Sequence, residues 1–183
     1  MNLSDKVLME LIKKKISETE SIFLPNFYMH YNATGTKWEA DLFQLTKNNF
    51  TIEYEVKVYR SDLKKDFLKT WWSYDKSTPK KHDCILNGMR SNRFYFVIPG
   101  EFTEDKKIME IIPDKYGIIT YELDRSGKYE MFKYYRKAKL LHKNKTKYRE
   151  FVIKTLISKY NYLYIKYIKS QQKIIDMINR GAS

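Results

Sequence analysis

Hydrophobic and polar residues alternate along several stretches of the chain, and the clearest alternation is in residues 50–59, FTIEYEVKVY. In an extended strand alternate side chains share a face, so one face of this strand would carry Thr51, Glu53, Glu55 and Lys57. Such alternation is typical of a half-buried strand with a solvated outer face. The alternative interpretation is that the charged side chains form a functional site.

The apolar spacing predicts an ordered set of helices and strands. A spacing of three and four residues predicts helices over 3–19, 61–72 and 146–179. Alternation or a short apolar run predicts strands over 21–29, 38–45, 50–59, 93–99, 115–123 and 128–135. The second and third strands form a hairpin across TKNN, and the last two strands pair with each other. The order helix, three strands, helix, strand predicts an α/β fold with a mixed sheet flanked by helices.

Positive charge is concentrated in the last third of the 183-residue chain. Residues 126–183 hold 15 Lys or Arg against 3 Asp or Glu, whereas residues 1–125 hold 20 against 19. This asymmetry, together with the elements above, predicts a core over 1–140 and a basic helical extension over 141–183. A basic block of this density attracts polyanions, and nucleic acid is the commonest polyanion inside a cell.

The last predicted helix carries an apolar stripe. Seven of eight positions at 3–4 spacing are apolar or aromatic: Ile153, Leu156, Tyr160, Leu163, Tyr167, Ile174 and Met177. The stripe would either pack on the protein's own sheet or pair with a second copy in a homodimer. The Tyr-rich and Lys-rich remainder of the helix offers phosphate contacts and stacking surfaces.

The composition predicts a globular protein of the cell interior, with 43% hydrophobic and 16% aromatic residues to form a core. The single Cys84 permits no internal disulfide and fits no Cys-based metal cluster, which is typical of a reduced, cytosolic protein. No run of about 18 apolar residues occurs, and the charged amino-terminal segment is not typical of a signal peptide. We therefore expect a cytoplasmic protein that makes no membrane contact.

The predicted hairpin brings a second carboxylate to the charged face. If its loop is Lys-Asn-Asn, Thr46 pairs with Phe50 and Asp41 lies directly opposite Glu55. Carboxylates about 5 Å apart across a sheet repel each other, and a divalent cation removes the conflict. Mg²⁺ takes one or two carboxylates together with waters and phosphate oxygens. Lys57, on the same face, would orient or deprotonate a water and stabilise charge on a scissile phosphate.

The spacing Asp41, thirteen residues, Glu55-Val56-Lys57 resembles the catalytic signature of the PD-(D/E)XK nuclease superfamily. Downstream, EVKVYRSDLKKDFLK, KKHDCILNG, NRFYFVIPG and IIPDKYGIITYE are similar to segments of its MmcB-like branch and phage relatives. The resemblance covers about residues 38–122. It implies a restriction-endonuclease-like αβββαβ core and a Mg²⁺-dependent deoxyribonuclease, with Mn²⁺ as a substitute. It also implies a role in DNA repair, recombination or phage DNA metabolism in a bacterial host.

The resemblance assigns roles to individual residues. It implies Asp41 and Glu55 as metal ligands and Lys57 as the catalytic lysine. Many members add a glutamate from the first helix, for which Glu10, Glu18 and Glu20 are the candidates. We expect Glu18 or Glu20, because both lie near the helix end that leads into the first strand.

Basic side chains beside these motifs and at the start of the basic extension are the predicted DNA contacts. They are Arg60, Lys65, Lys69, Lys80, Lys81, His82, Lys143, Lys145, Lys147 and Arg149. A plain surface position is the alternative for His82. Asp66 and Lys69 would most simply lie on a helix surface, and Glu53 would be a solvated carboxylate rather than a third metal ligand.

Two other functions remain open on the sequence. One is a nucleic-acid-binding or assembly protein that retains the nuclease fold without turnover. The other is an interaction protein whose carboxy-terminal helix mediates assembly. The intact set of Asp41, Glu55 and Lys57 favours the nuclease, because a binding protein does not need a repulsive carboxylate pair.

Overall fold

A computed structural model describes residues 3–28, 39–70, 80–123, 129–143 and 149–181 of the chain. The chain divides into two units, Met1–Thr146 and Lys147–Ser183. The first unit holds a six-stranded sheet with helices on both faces, and the second holds one long helix. The predicted α/β class with a mixed, helix-flanked sheet is therefore confirmed.

The described residues form six strands and five α-helices. The strands are β1 (Ser21–Tyr28), β2 (Glu39–Thr46), β3 (Thr51–Val56), β4 (Arg93–Pro99), β5 (Gly117–Leu123) and β6 (Tyr129–Arg136). The helices are α1 (Leu3–Glu18), α2 (Arg60–Asp66), α3 (Lys81–Leu86), α4 (Lys106–Ile111) and α5 (Arg149–Gly181). A short 3₁₀ helix, Gly100–Glu104, follows β4. The chain therefore runs through the predicted order of one helix, three strands, a helical segment and a further strand.

The strands lie side by side in chain order. The pairs β1–β2, β2–β3 and β5–β6 are antiparallel, whereas β3–β4 and β4–β5 are parallel. The two parallel connections contain helices, as long crossovers between parallel strands usually do: α2 and α3 lie between β3 and β4, and α4 lies between β4 and β5. Strand β4 lies between two parallel neighbours, which explains its near-continuous apolar sequence, RFYFVIP.

The two faces of the sheet bury separate apolar clusters. Helix α1 covers one face, in a cluster that includes Val7, Leu11, Leu42, Tyr54 and Val97. The opposite face is covered by α2, α3 and α4, in a cluster that includes Leu63, Ile85, Ile108, Phe94 and Phe96. The central strands are thus buried on both faces.

Helix α2 is shorter than predicted. It ends at Asp66, and the chain then turns through Phe67 toward an isolated β-bridge between Thr70 and Lys80. The sequence pattern also did not predict α3 or α4, each of which has 6 residues. Helices of this length complete fewer than two turns, so they produce no detectable apolar period.

The second unit is α5, a helix of 33 residues. Three members of the predicted stripe, Tyr160, Leu163 and Tyr167, are each more than half exposed. The rings of Tyr160 and Tyr164 are nearly parallel, with centroids 6.4 Å apart. Packing of the stripe on the sheet or against a second copy stays a prediction. Among the described helices, none combines the length and hydropathy needed to cross a membrane.

Candidate active site

The β2–β3 hairpin has the predicted register. The Thr46 amide donates to the Phe50 carbonyl at 2.9 Å, which closes a three-residue loop, and Leu42 pairs with Tyr54 further along the ladder. One step beyond that pair, the antiparallel register sets Asp41 opposite Glu55 on the same face. The Asp41 carboxylate accepts a 2.7 Å hydrogen bond from the Val56 amide, next to Glu55.

The charged face of β3 is buried, so the interpretation of a solvated outer face is wrong. Glu53 and Glu55 pair with Phe94 and Phe96 of β4, whose side chains lie under α2, α3 and α4. The four polar residues of that face are all buried: Thr51, Glu53, Glu55 and Lys57. Burial of ionised groups is costly unless they are paired. The burial of these charged side chains therefore requires partners of opposite charge beneath the helices.

Four charged side chains pair with one another beneath the helices: Glu55, Asp66, Lys57 and Lys81. We call them the ion cluster. The Lys57 ammonium lies 2.6 Å from Glu55 Oε1 and 3.2 Å from Asp66 Oδ1. The Lys81 ammonium lies 3.0 Å from Glu55 Oε2 and 3.1 Å from Asp66 Oδ2. Each lysine thus bridges the same two carboxylates, and both oxygens of Glu55 are bonded to a lysine.

Asp66 belongs to the site, so its prediction as a helix-surface residue is wrong. Its side chain is 0% exposed and also contacts the Lys69 ammonium at 2.7 Å. Burial alone would raise the pKa of Asp66, but the His82 hydrogen bond, and then the charges of Lys81 and Lys57, hold it far below its usual range. The spacing in sequence could have indicated its burial, because Asp66 follows the apolar Leu63 by three residues and both therefore lie on the buried face of α2.

His82 is buried and holds Asp66 from behind, so its prediction as a DNA contact or a surface residue is wrong. Its Nε2 lies 2.9 Å from Asp66 Oδ2, and its Nδ1 lies 3.0 Å from the Tyr116 hydroxyl. Burial lowers the pKa of His82 against the raising effect of Asp66, which favours the neutral ring at neutral pH. The ring also stacks on Phe67, with centroids 4.2 Å apart. Both ring nitrogens are thus engaged in orienting the ion cluster.

An open cleft of about 480 Å³ lies where β2 begins and β3 ends. Its lining includes Asp41, Glu55, Lys57 and Lys81, with Ser4 of α1 at one side. Three exposed residues complete the rim: Asp62, Lys65 and Lys69. The cleft thus exposes one edge of an otherwise buried charge network to solvent.

The electrostatics of the cleft assign different protonation states to its residues. Burial, and then the charge of Glu55, raise the pKa of Asp41 from 3.8 to about 6. Burial alone would lower the pKa of Lys57, but the carboxylates of Glu55 and Asp66 outweigh it and raise the pKa above its usual value. Lys57 is therefore firmly protonated in this arrangement, which suits donation of a hydrogen bond rather than removal of a proton.

The donor set fits a hard divalent cation with few protein ligands. Asp41 and Glu55 supply carboxylate oxygens in one cleft, and Mg²⁺ commonly takes one or two carboxylates with waters and substrate phosphates. The described part of the chain holds no group of three or more His, Cys, Asp or Glu placed to hold a metal. A two-carboxylate site that depends on external oxygens is thus the type these residues could form.

The predicted third ligand from the first helix is wrong. Glu18 pairs with Lys15 at 3.2 Å, and Glu20 lies 3.9 Å from Lys47 in the hairpin loop. That loop follows Thr46, five residues along β2 from Asp41, or about 17 Å. The carboxyl end of α1 leads into β1 at this far end of the sheet, whereas its amino end lies at the cleft. Helix direction, which the motif does not encode, therefore excludes both residues.

Glu53 is neither solvated nor a third ligand. It is buried under the helices and its Oε1 lies 2.7 Å from Nε of Arg90, which is also buried. Burial raises the pKa of Glu53, while the charge of Arg90 opposes that rise. The pair is a structural neighbour of the ion cluster, and sequence spacing contained no signal for it.

The predicted DNA contacts fall into different environments. Lys65, Lys69, Lys80 and Lys143 are exposed. Lys81 is 4% exposed within the ion cluster but lines the cleft, so its contact with DNA stays a prediction. Arg60 is partly engaged, because its guanidinium lies 3.6 Å from Glu101 and from Asp105 and 4.7 Å from the centre of the Phe102 ring. Lys145, Lys147 and the Arg149 side chain lie outside the described residues.

Comparisons with known proteins extend the description of the fold only. No family model matches the chain. No curated protein matches it either. The chain is similar to a solved structure described as SPO1766 protein of unknown function, from Silicibacter pomeroyi. The likeness has a TM-score of 0.54 and 13% identity, and it covers 94% of this chain and 92% of the other. At this identity it supports the shared α/β fold.

Proposed function

We propose that the protein is a Mg²⁺-dependent nuclease of the PD-(D/E)XK type that hydrolyses phosphodiester bonds of DNA. The observation that carries the proposal is the convergence of Asp41, Glu55 and Lys57 in one open cleft. Two adjacent carboxylates raise the cost of ionisation, as the pKa of Asp41 shows, and a cation would repay that cost. A protein that only binds nucleic acid has no comparable need for the pair.

Asp41 and Glu55 would hold Mg²⁺, or Mn²⁺ as a substitute. The bound metal supplies Lewis acidity toward a phosphoryl oxygen and lowers the pKa of water. The chain's own residues then act by position and charge. Lys57 would donate a hydrogen bond to the attacking water or to the phosphate, and its positive charge would stabilise the negative charge that develops there. It would remain protonated throughout. In-line attack would form a bond from the water oxygen to phosphorus while the bond from phosphorus to the leaving oxygen breaks. The water would give its proton to solvent and the leaving oxygen would take one from solvent, so no covalent link to the protein forms.

The DNA backbone would be held by exposed lysines around the cleft. Lys65 and Lys69 lie on its rim, and Lys80 precedes the buried Lys81. The basic extension would add phosphate contacts, and its α5 stripe would serve packing or pairing with a second copy. Such a nuclease would act on intracellular DNA in the cytoplasm of a bacterial host, in DNA repair, recombination or phage DNA metabolism.

Cleavage assays on linear, circular and branched DNA test the proposal, each run with Mg²⁺, Mn²⁺ or EDTA. We expect metal-dependent cleavage that falls by about 10²-fold or more in Lys57→Ala and in Asp41→Ala. Lys47→Ala is the matched control, because Lys47 is an exposed lysine at the far end of the same hairpin. Cleavage that persists equally in the Asp41 and Lys57 variants would remove the assignment.

The second candidate function is a nucleic-acid-binding or assembly protein that keeps this fold without turnover. It is favoured by one observation: both oxygens of Glu55 are already bonded to lysines. Binding without cleavage under every metal condition, with the steep salt dependence of phosphate contacts, would select it.

A further inference from the structure

The ion cluster sets a competition at Glu55. Its Oε1 is 2.6 Å from Lys57 and its Oε2 is 3.0 Å from Lys81. A cation that takes a Glu55 oxygen therefore competes with an ammonium for it. Lys57 and Lys81 share Glu55 at present because Asp66 supplies a second negative charge. A divalent cation would add positive charge that this pair of carboxylates does not balance, and the repulsion is strong where the effective dielectric is low.

Asp66 is placed to receive the displaced lysines. Lys57 and Lys81 already touch it at 3.2 and 3.1 Å, so neither needs a new partner when Glu55 turns away. Glu55 lines the cleft, whereas Asp66 lies fully buried behind it. The bond to His82 further restrains Asp66. Of the two bridged carboxylates, Glu55 is the one that can turn to the cleft and Asp66 is the fixed one.

We propose that Lys81 competes with the divalent cation for Glu55, and that Asp66 is the positioning residue that keeps Lys57 and Lys81 at the cleft when the cation takes Glu55. This inference rests on the proposed function, because it concerns the same cation. Cation affinity then depends on how the two lysines, Lys57 and Lys81, divide their contacts between Glu55 and Asp66. Removing the competitor strengthens cation binding, and removing the second acceptor weakens it.

Mn²⁺ binding measured without nucleic acid tests the two directions, by electron paramagnetic resonance of free Mn²⁺ or by calorimetry. Lys81→Met should bind Mn²⁺ roughly tenfold or more tightly than the wild type, because a competing positive charge is gone. Asp66→Asn should bind it about 10- to 100-fold more weakly, as loss of an outer-shell partner typically does. Lys64→Met is the matched control: it removes the same charge from an exposed position of α2 that does not line the cleft, and it should change affinity less than about threefold.

Circular dichroism and urea unfolding of each variant separate these effects from loss of fold. Should Asp66→Asn not fold, the Lys81→Met and Lys64→Met pair carries the test alone. Equal or weaker Mn²⁺ binding by Lys81→Met, no binding by any form, or equal tightening in Lys64→Met would overturn the inference. The proposed function fails separately: the predicted Mn²⁺ pattern without DNA cleavage rejects the nuclease, whereas Lys57-dependent cleavage without that pattern rejects only the competition.

Discussion

Replacement of Asp41 by asparagine should make the protein more stable while removing its proposed activity. Asparagine has nearly the shape of a neutral aspartic acid, and its side-chain oxygen can still accept the 2.7 Å bond from the Val56 amide. It cannot ionise, so it removes both the burial cost of the charge and the repulsion from Glu55. Sites that sacrifice stability for function commonly behave this way.

The magnitude follows from the pKa of Asp41, which rises from 3.8 to about 6 on folding. Each unit corresponds to about 1.36 kcal/mol, so the full cost of ionising Asp41 in the folded protein is about 3 kcal/mol. Partial exposure to the cleft reduces this, and we expect a gain of about 1–3 kcal/mol.

The sign of the pH dependence distinguishes this mechanism from a packing effect. Because the pKa of Asp41 is raised on folding, the folded state keeps a proton that the unfolded state loses between about pH 4 and 6. Wild-type stability therefore falls through this window relative to the variant. Asp41→Asn should match the wild type near pH 4, gain stability up to about pH 6.5, and keep that gain at pH 8.

Urea unfolding in EDTA across pH 4–8 measures the difference. Glu39→Gln is the matched control, since Glu39 lines the same cleft two residues away on the same face of β2, and its effect should stay within about 0.5 kcal/mol. Added Mg²⁺ should raise the midpoint of the wild type but not that of Asp41→Asn. A variant that is less stable than the wild type at pH 8, or a difference that does not change with pH, would refute the reasoning.

Two further predictions concern the frame of the site. Arg90→Met should lower the free energy of unfolding by about 3–5 kcal/mol, because it removes the cation that faces the buried Glu53 charge. The double variant with Glu53→Met should recover much of this loss. A single variant as stable as the wild type in urea would contradict the prediction. Gly117→Ala should cost about 1–3 kcal/mol, because its new Cβ would overlap the Tyr95 ring. Gly100→Ala, whose nearest contact is 3.6 Å, should be nearly neutral by thermal unfolding.

The charge network offers a physical reason for the unusual sequence of β3. A central strand buried on both faces usually carries apolar residues, yet β3 places Glu53 and Glu55 under the helices. Buried ion pairs seldom exceed apolar packing in stability. Their presence beside an open cleft is consistent with retention for chemistry or for orientation of Lys57, not for folding energy.

Local patterns alone determined most of the architecture. The period of apolar residues predicted α1 and every strand of the sheet to within a few residues, because these elements bury a regular stripe or face. The hairpin register follows from a three-residue loop, and that register by itself places Asp41 opposite Glu55. Side chains in a strand alternate faces every two residues, so the length of the hairpin loop fixes the pairing and the face of every residue along both strands.

Only the tertiary structure decided what surrounds those carboxylates. The alternation in β3 is the same whether its polar face meets water or helices, so burial of Glu55 depended on where α2 and α3 pack. Asp66 and Lys81 are 15 residues apart in the chain, and they meet Glu55 because the fold brings α2 and α3 over the end of β3. Long-range ion pairs have no characteristic spacing in sequence, because the packing of helices and strands determines which charged residues meet.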